Sequence, residues 1–290
     1  MKKRRKWMIV VLILLCAGLL TGAEIVRSAC CLTVSHYALR SGKVTRQLRV
    51  LQLSDLHNAQ HGSENRRLLR LAAEQAPDLI LFTGDLVTGT DPDTGVAVSL
   101  LERLTDIAPV YVSLGNHERM YMNRYETDLT ALFEKTGAHV LEYEYEDILI
   151  RGQALRIGGI SGYGLAEIYL QTGEAREPEC AFLREFQDTS RCTLLMAHIP
   201  AGWLRSRGLE EWNIDLVFSG HAHGGQVVLP LIGGVYAPDM GFFPGRLEGL
   251  FPAENGSKAL VLSSGLGNTE MIPRFGNPPQ ILVLDILPTE

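Results

Sequence analysis

Short apolar runs alternate along the chain with segments in which apolar residues recur at helical spacing. In the first helical segment, leucines at positions 68, 69 and 71 lie opposite charged residues, and Pro77 marks its end. Strands that alternate with helices in this way predict βαβ units and therefore parallel strands. The predicted strands are residues 49–54, 79–83, 109–114, 193–197 and 214–218, and the predicted helices are residues 65–76, 96–104 and 125–136.

Two stretches depart from this alternation. Residues 32–37 and 47–54 flank a turn at 41–43, and this arrangement predicts a β-hairpin. Residues 140–160 predict short antiparallel strands. Their bounds are expected at 141–145, 148–150 and 155–160.

Residues 227–279 are rich in glycine and proline and include Phe242, Phe243 and Phe251. An irregular stretch of this length inside a compact domain is often a functional loop. Two interpretations remain open. The aromatic side chains either pack inward from hairpins, or they are exposed and cover a site or contact lipid.

The amino-terminal segment predicts a membrane-spanning helix. Residues 7–23 are apolar, close to the shortest length of about 17 residues that spans a bilayer, and residues 2–6 are all basic. We expect residues 1–28 to form a signal anchor and residues 29–290 the catalytic domain. The positive-inside rule then places that domain outside the cytoplasm of a single-pass membrane protein. The small residues at 21–23 leave open cleavage as a signal peptide.

Composition and charge bear on the expected partners and on the cysteines. The chain has 290 residues with a formal net charge of −6, and because residues 2–6 contribute +5, the remainder carries −11. A domain with this much negative charge binds nucleic acid poorly, so we expect no nucleic acid as a partner. Five cysteines leave at least one unpaired, and Cys180 and Cys192 are either bridged or two separate thiols.

The residues that follow the predicted strands are of metal-ligand types. The final strand leads into His221 and His223, which in extended backbone would share one face. A lone His-x-His pair is weak evidence, but four other strands also end in a carboxylate, an amide or an imidazole. The carboxyl ends of strands are where open α/β sheets place their sites. The residues concerned are Asp55 and His57, Asp85, Asn116 and His117, and His198.

These elements, D-x-H, G-D, G-N-H-E, H and G-H-x-H in that order, resemble the calcineurin-like metallophosphoesterases from about Arg49 to the C-terminus. The segments S-D-L-H at 54–57 and G-H-A-H-G-G-Q at 220–226 are similar to those of the membrane-anchored bacterial phosphodiesterase branch. So are S-G-L-G at 264–267, P-R at 273–274 and N-P-P at 277–279. That branch includes proteins similar to UDP-diacylglucosamine pyrophosphohydrolases.

The resemblance implies the fold and the ligands. The fold would be α/β with mixed sheets, a four-layer α-β-β-α sandwich preceded by one transmembrane helix. Two divalent ions would be bound, and oxygen and imidazole ligands suit Mn, Fe or Zn. One ion would take Asp55, His57, Asp85 and His223; the other would take Asp85, Asn116, His198 and His221. Asp85 would bridge the two ions and His117 would assist the leaving group, so these are the two expected catalytic residues.

The implied activity is metal-dependent hydrolysis of a phosphoester by in-line attack of water. The leading substrate is a phosphodiester or pyrophosphate bond in a lipid or lipid-linked molecule, since the anchor keeps the site near the bilayer. The alternatives are a phosphomonoesterase or protein phosphatase, and a non-catalytic scaffold of the same fold. Metal identity and oligomeric state stay open.

Three further residues have two interpretations each. Glu118 either orients His117 or is a solvated residue at the start of a helix. Arg246 and Arg274 either contact a second phosphate or head group of the substrate, or are surface arginines.

Overall fold

The apolar runs of the sequence form buried strands. The computed structural model describes residues 2–160, 177–204, 208–238, 240–254, 256, 258–268 and 272–289. The helices are α1 Lys2–Cys30, α2 Arg66–Glu74, α3 Gly95–Thr105, α4 Asn116–Tyr125, α5 Leu129–Glu134, α6 Glu177–Phe186, α7 Ala201–Leu204 and α8 Gly208–Glu211. The strands of the two large sheets are β1 Thr33–Ser41, β2 Leu48–Leu53, β3 Leu79–Thr83, β4 Val110–Ser113, β5 His139–Val140, β6 Glu144–Ile150, β7 Gln153–Ile160, β8 Cys192–Ala197, β9 Leu216–Ser219, β13 Gly249–Pro252, β14 Ala259–Leu262 and β15 Gln280–Pro288. Strands β10 Val228–Leu229, β11 Gly233–Ala237 and β12 Gly241–Gly245 form a small antiparallel sheet.

Each large sheet has six strands. The first has the order β1-β15-β2-β3-β4-β5 and the second the order β13-β14-β9-β8-β7-β6. Strands β2 to β5 run parallel in the first sheet, and β7, β8, β9 and β14 run parallel in the second. Central parallel strands are buried on both faces, which explains why they are continuous apolar runs in the sequence.

The two sheets pack face to face and helices cover both outer faces. Leu81 of the first sheet and Leu194 and Phe218 of the second belong to the core between the sheets. A second core lies between the first sheet and helices α2, α3 and α5, and a third between the second sheet and helices α6 to α8. The four-layer α-β-β-α arrangement with mixed sheets is therefore confirmed.

The predicted hairpin of residues 32–37 and 47–54 is wrong. Strand β15, from the end of the chain, lies between β1 and β2; it runs parallel to β1 and antiparallel to β2. The pattern of residues near the turn contains no information about a strand more than two hundred residues away, so the sequence could not reveal this insertion.

Two other predicted elements differ in extent. The helix expected at 125–136 is shorter, α5 at Leu129–Glu134, and a separate helix, α4, ends just before it, where Glu126 adopts a left-handed backbone with φ 51°. The two strands expected at 141–145 and 148–150 are one strand, β6, which pairs antiparallel with β7 as predicted. No disulfide joins Cys180 to Cys192.

Helix α1 is one apolar helix at the amino-terminus. The helix over residues 4–30 is long and apolar enough to cross a membrane, and its most apolar stretch of 18 residues is not buried against the rest of the protein. At its end Ser28 is buried. A membrane anchor and a signal sequence both have these properties. The boundary between residues 28 and 29 stays a prediction.

Candidate metal centre

Five strand ends meet at one edge of the sandwich. Strands β2, β3 and β4 of the first sheet and β8 and β9 of the second end in loops that contain all seven candidate ligands. Backbone contacts hold these loops together, because the Asp55 amide donates to Gly84 O at 2.9 Å and the Gly220 amide donates to His198 O at 3.0 Å. The sheets are joined just below, where Gln52 donates to Ser219 O at 2.8 Å.

Asp85 lies at the centre of the candidate ligands. Its Oδ2 is 3.1 Å from His198 Nε2 and 3.7 Å from His57 Nε2. The neighbouring residues form three groups whose ligand atoms lie within 4.8 Å of one another, and Asp85 belongs to two of them. The groups are Asp55, His57 and His223; His57, Asp85 and His117; and Asp85, His198 and His221.

The spacing of the ring nitrogens fits a metal ion. His57 Nε2 and His223 Nε2 lie 3.3 Å apart, and His223 Nε2 lies 3.8 Å from Asp55 Oδ1. Two nitrogens bound tetrahedrally at about 2.0–2.1 Å from one ion are separated by about 3.3–3.4 Å. Asn116 Oδ1 likewise lies 3.1 Å from His198 Nε2 on the other side of Asp85. The donor atoms therefore converge as they would on two cations.

Most of the candidate ligands have left-handed backbone conformations. The φ angles are 52° at Asp55, 48° at His57, 57° at Asp85, 64° at His221 and 45° at His223. Such conformations cost about 1–3 kcal/mol each for residues other than glycine and concentrate at functional sites. His221 and His223 therefore do not lie on an extended strand as predicted, because His223 begins a 3-10 turn and the backbone folds back on itself.

Glycines allow the strand-end loops to approach each other. Gly84 has φ 87°, and a Cβ atom there would lie 2.7 Å from His198 Nδ1. A Cβ at Gly115 would overlap Asp85 Oδ1. Any side chain at these two positions would push the candidate ligands apart.

The histidines differ in charge. Burial lowers the pKa of His57 to about 3 and lowers that of His223 well below its usual value, so both are neutral imidazoles, the form that binds metals. Burial also opposes protonation of His198, but the carboxylates of Asp85 and Asp55 outweigh it and raise its pKa to about 10. A bound cation would take the place of the His198 proton next to Asp85.

Neighbouring groups orient two of the rings. The His198 Nδ1 atom lies 2.7 Å from Thr83 O, so a proton there is donated to the carbonyl and Nε2 is left for a metal. His117 is half-buried, and its Nδ1 accepts a hydrogen bond from the Gly89 amide at 3.1 Å. A neutral His117 therefore has its proton on Nε2, where it can be donated to a leaving group. Its ring centre lies 4.6 Å from that of His57.

Glu118 supports the loops and does not bond to the His117 ring. Its buried carboxylate accepts hydrogen bonds from the backbone amides of Gly115 at 2.7 Å, Asp85 at 2.8 Å and Val87 at 3.1 Å. It is therefore neither the orienting partner of His117 nor a solvated residue. It caps α4 and ties the β3 loop to the β4 loop.

We expect Glu118→Ala to lower the free energy of unfolding by about 3 kcal/mol or more, because three buried amides would each lose a partner at about 1–3 kcal/mol. Urea unfolding of the metal-free protein measures this effect. Glu134→Ala, at an exposed position of α5, is the control and should change stability by less than about 0.5 kcal/mol. Equal stability of the two variants would contradict the supporting role.

The two arginines lie in different surroundings. Arg274 is buried, and it donates to Ser264 O and Gly267 O, each at 2.7 Å. Its Nη2 is also 3.4 Å from His223 Nδ1, while its Nη1 has no partner among the described residues. Arg246 donates to Glu248 O and lies over the Phe251 ring. Arg274 is therefore not a surface residue, and contact of either arginine with substrate stays a prediction.

Asn277 begins the N-P-P segment, and the sequence alone predicts no role for it. Its side-chain amide donates to His223 O at 2.5 Å and so fixes the backbone of the second histidine. Asn277 is only a few residues from Arg274, and both contact His223 from the same loop. The segments at 264–267, 273–274 and 277–279, which resemble those of the membrane-anchored branch, thus lie around His223 and the ion position that it would share with Asp55 and His57.

Comparisons with known proteins agree with this geometry. A family model described as calcineurin-like phosphoesterase matches residues 48–225. The uncharacterized metallophosphoesterase Cj0846 of Campylobacter jejuni is 27% identical over 243 residues, which cover 83% of this chain and 59% of that protein. The uncharacterized metallophosphoesterase YkuE of Bacillus subtilis is 26% identical over 249 residues, covering 83% of this chain and 79% of that one.

A third similar protein is named for its activity. The phosphodiesterase YaeI of Escherichia coli is 28% identical over 193 residues, covering 66% of each chain. The chain thus spans between about three fifths and four fifths of the length of these three relatives.

Proposed function

Because the chain belongs to the calcineurin-like phosphoesterase family, and is therefore a metal-dependent phosphoesterase, we propose that it hydrolyses a phosphodiester or pyrophosphate bond in a lipid or lipid-linked substrate at a membrane. Similarity to the phosphodiesterase YaeI supports the diester bond. The specific activity of UDP-diacylglucosamine pyrophosphohydrolases is one member of this substrate class.

The main support for the membrane proposal is a series of hydrogen bonds that connects helix α1 to the candidate metal centre. Glu24 accepts from the Gly276 amide at 3.0 Å, and Ser28 accepts from the Asn277 amide at 3.3 Å. Asn277 in turn bonds to the backbone of His223. Asn277 therefore bonds both to the end of the apolar helix and to the backbone of a candidate metal ligand.

The proposed roles of the site residues follow from their positions. Asp55, His57 and His223 would hold one ion together with Asp85, and Asn116, His198 and His221 would hold the other. Two divalent ions in this position supply an activated water and neutralise charge on the phosphate. The identity of the ions among Mn, Fe and Zn is open.

The chain's own residues would complete the reaction. Asp85 would hold both halves of the site together, since its Oδ2 faces both His198 and His57. His117 would donate its Nε2 proton to the departing oxygen, while the Gly89 amide keeps the ring in that tautomer. Arg274 would contact substrate through Nη1. Arg246 would contact substrate from the cavity that Arg246 and Gly224 both line, and Gly224 directly follows His223 in the chain.

The proposed location is a cell membrane that α1 crosses once. The basic residues at 2–6 would stay in the cytoplasm, and the metal centre would face outward at the membrane surface. In this orientation the substrate reaches the site from the outer side of the bilayer.

We expect the full chain in detergent to cleave bis-p-nitrophenyl phosphate with a kcat/KM at least about tenfold above that for p-nitrophenyl phosphate, a difference of about 1.4 kcal/mol in transition-state binding. The assay is run with Mn, Fe or Zn added, and EDTA provides the metal-free control. Preference for the monoester would overturn the diesterase proposal and indicate a phosphatase.

The lipid part of the proposal has its own test. A diacylated nucleotide sugar with a pyrophosphate bond is compared with the same compound lacking acyl chains. We expect the acylated compound to be cleaved with the higher kcat/KM. Equal values would leave a phosphodiesterase whose substrate is not a lipid.

A further inference from the structure

The small sheet presents exposed hydrophobic side chains. Leu231 is fully exposed, Phe242 is 74% exposed and Phe243 is 64% exposed. We call these residues, with Ile232 and the neighbouring Ile272, the apolar patch. Outside α1, the other large exposed hydrophobic residues in the described parts of the chain are Met120, Leu149 and Tyr236, and Tyr236 is itself in the small sheet.

The segment that contains most of the patch residues has almost no charged residues in its sequence. Residues 227–245 contain one charged residue, Asp239, among 19, whereas the chain after residue 6 carries a net charge of −11. Burying one large hydrophobic side chain is worth about 1.5–3 kcal/mol. Five exposed hydrophobic side chains in and beside one small sheet, most of them in a segment with little charge, are typical of a surface that contacts another apolar phase.

Backbone conformation holds two of these side chains outward. Leu231 has φ 69° and Phe243 has φ 54°, which are unusual for large side chains. The pairing of β11 with β12 also shifts register between Gly234 and Tyr236, as at a β-bulge. Phe251, a few residues further on, instead packs inward against the third core. The outward position of the patch is therefore not shared by all the aromatics of this region.

The small sheet lies near the base of helix α1. The Val228 amide donates to Phe275 O at 2.8 Å, and the next residue, Gly276, donates to Glu24 of the helix. A cavity of about 310 Å³ is lined both by Thr33, which follows α1 closely, and by Gly233 and Gly245 of the small sheet. A bilayer that contains residues 7–23 therefore ends close to the small sheet.

We propose that the apolar patch inserts into the interfacial region of the same bilayer that α1 crosses, as a second membrane contact. The inference rests on the proposed anchoring by α1 and goes beyond the proposed hydrolysis. A single helix leaves the domain free to rotate and tilt above the membrane. A second contact at the small sheet fixes the orientation of the metal centre relative to the lipid surface.

The patch also borders an apolar cleft that is lined by a residue close in sequence to a candidate ligand. A cleft of about 250 Å³ is lined by Val227, Val235, Tyr236, Phe242, Ile272 and Gln226. Gln226 lies three residues after His223, and its side chain donates to Ile272 O and to Asn268. Insertion of the patch would bring the mouth of this apolar cleft to the level of the lipid head groups.

The test uses tryptophan fluorescence in the full chain with Trp7→Phe, which leaves Trp203 and Trp212 as a common background. Leu231→Trp and Phe243→Trp each place a reporter in the patch. Leu149→Trp is the matched control, because Leu149 is 72% exposed but lies on β6, at the edge of the second sheet opposite β13. Circular dichroism confirms that each variant is folded.

The variants are reconstituted into phosphatidylcholine and phosphatidylglycerol vesicles with brominated acyl chains. Interfacial segments are buried by about 5–10 Å, so we expect emission from both patch reporters to fall at least about twofold relative to unbrominated vesicles. The Leu149→Trp variant should change no more than the Trp7→Phe background.

Quenching of the patch reporters no greater than that of Leu149→Trp would overturn the proposal. A blue shift in detergent that grows with protein concentration would also overturn it and assign the patch to contact with a second copy. The fluorescence is read without metal or substrate, so it does not depend on catalysis. Inactivity on phosphodiesters together with strong quenching would reject the proposed function and leave this inference standing.

Discussion

Asp85→Asn should abolish turnover, with kcat on bis-p-nitrophenyl phosphate reduced by at least about 10³-fold, the loss that follows removal of about 4 kcal/mol of electrostatic stabilisation. Asp85 belongs to two of the three ligand groups, and its Oδ2 faces both His198 and His57. Asparagine keeps one oxygen but has no charge, and its amide group would point donor hydrogens at a cation.

The same substitution should lower the metal content of the purified protein at both positions. Inductively coupled plasma mass spectrometry of the full chain measures the content, and thermal unfolding checks that the fold is intact. Asp106→Asn, an exposed carboxylate at the end of α3, makes the same chemical change away from the site and should leave both quantities unaltered. Near wild-type activity of Asp85→Asn would show that the metal assignment is wrong.

His117→Ala should slow turnover while leaving the metal content unchanged. Loss of a general acid costs about 10²- to 10⁴-fold when the leaving group is an alkoxide that needs a proton. For p-nitrophenolate, which leaves without protonation, we expect a loss smaller than about tenfold. The physical basis is the hydrogen bond from the Gly89 amide to His117 Nδ1, which leaves the ring proton on Nε2.

The comparison of leaving groups separates two roles for His117. A ring nitrogen of His57, a ring nitrogen of His117 and a carboxylate oxygen of Asp85 lie close enough together to form a metal-ligand group. If His117 were a ligand, His117→Ala would lose metal and would slow both substrates alike. His139→Ala is the control, because His139 is exposed on β5 and pairs with Glu146 away from the site.

Several features of the fold were readable from the sequence because they depend on neighbouring residues. Fully buried parallel strands such as β3 and β8 are continuous apolar runs, and their positions were predicted to within about one residue. The amphipathic pattern of α2 and its end before Pro77 are equally local. The ligand-type residues stand directly after these strands, so the candidate ligands could be named from the sequence, and their binding of metal stays a prediction.

The burial of Glu118 and Arg274 could not be predicted from the residues next to them in the sequence. Whether a glutamate at the start of a helix is solvated or buried depends on which loops pack against it. Here the loops after β3 and β4 direct three backbone amides at its carboxylate. Arg274 is buried for the same kind of reason, since two backbone carbonyls of the loop at 264–267 surround its guanidinium.

The sequence by itself determined the strands, the helices between them and the types of residue at each strand end, because helix and strand periodicity is set by residues close together in the chain. Only the tertiary structure decided which of these residues meet. His57 and His223 are 166 residues apart in sequence but 3.3 Å apart in space. The insertion of β15, the left-handed backbone of the ligands and the contact between α1 and Asn277 likewise arise from long-range packing, which local propensity does not encode.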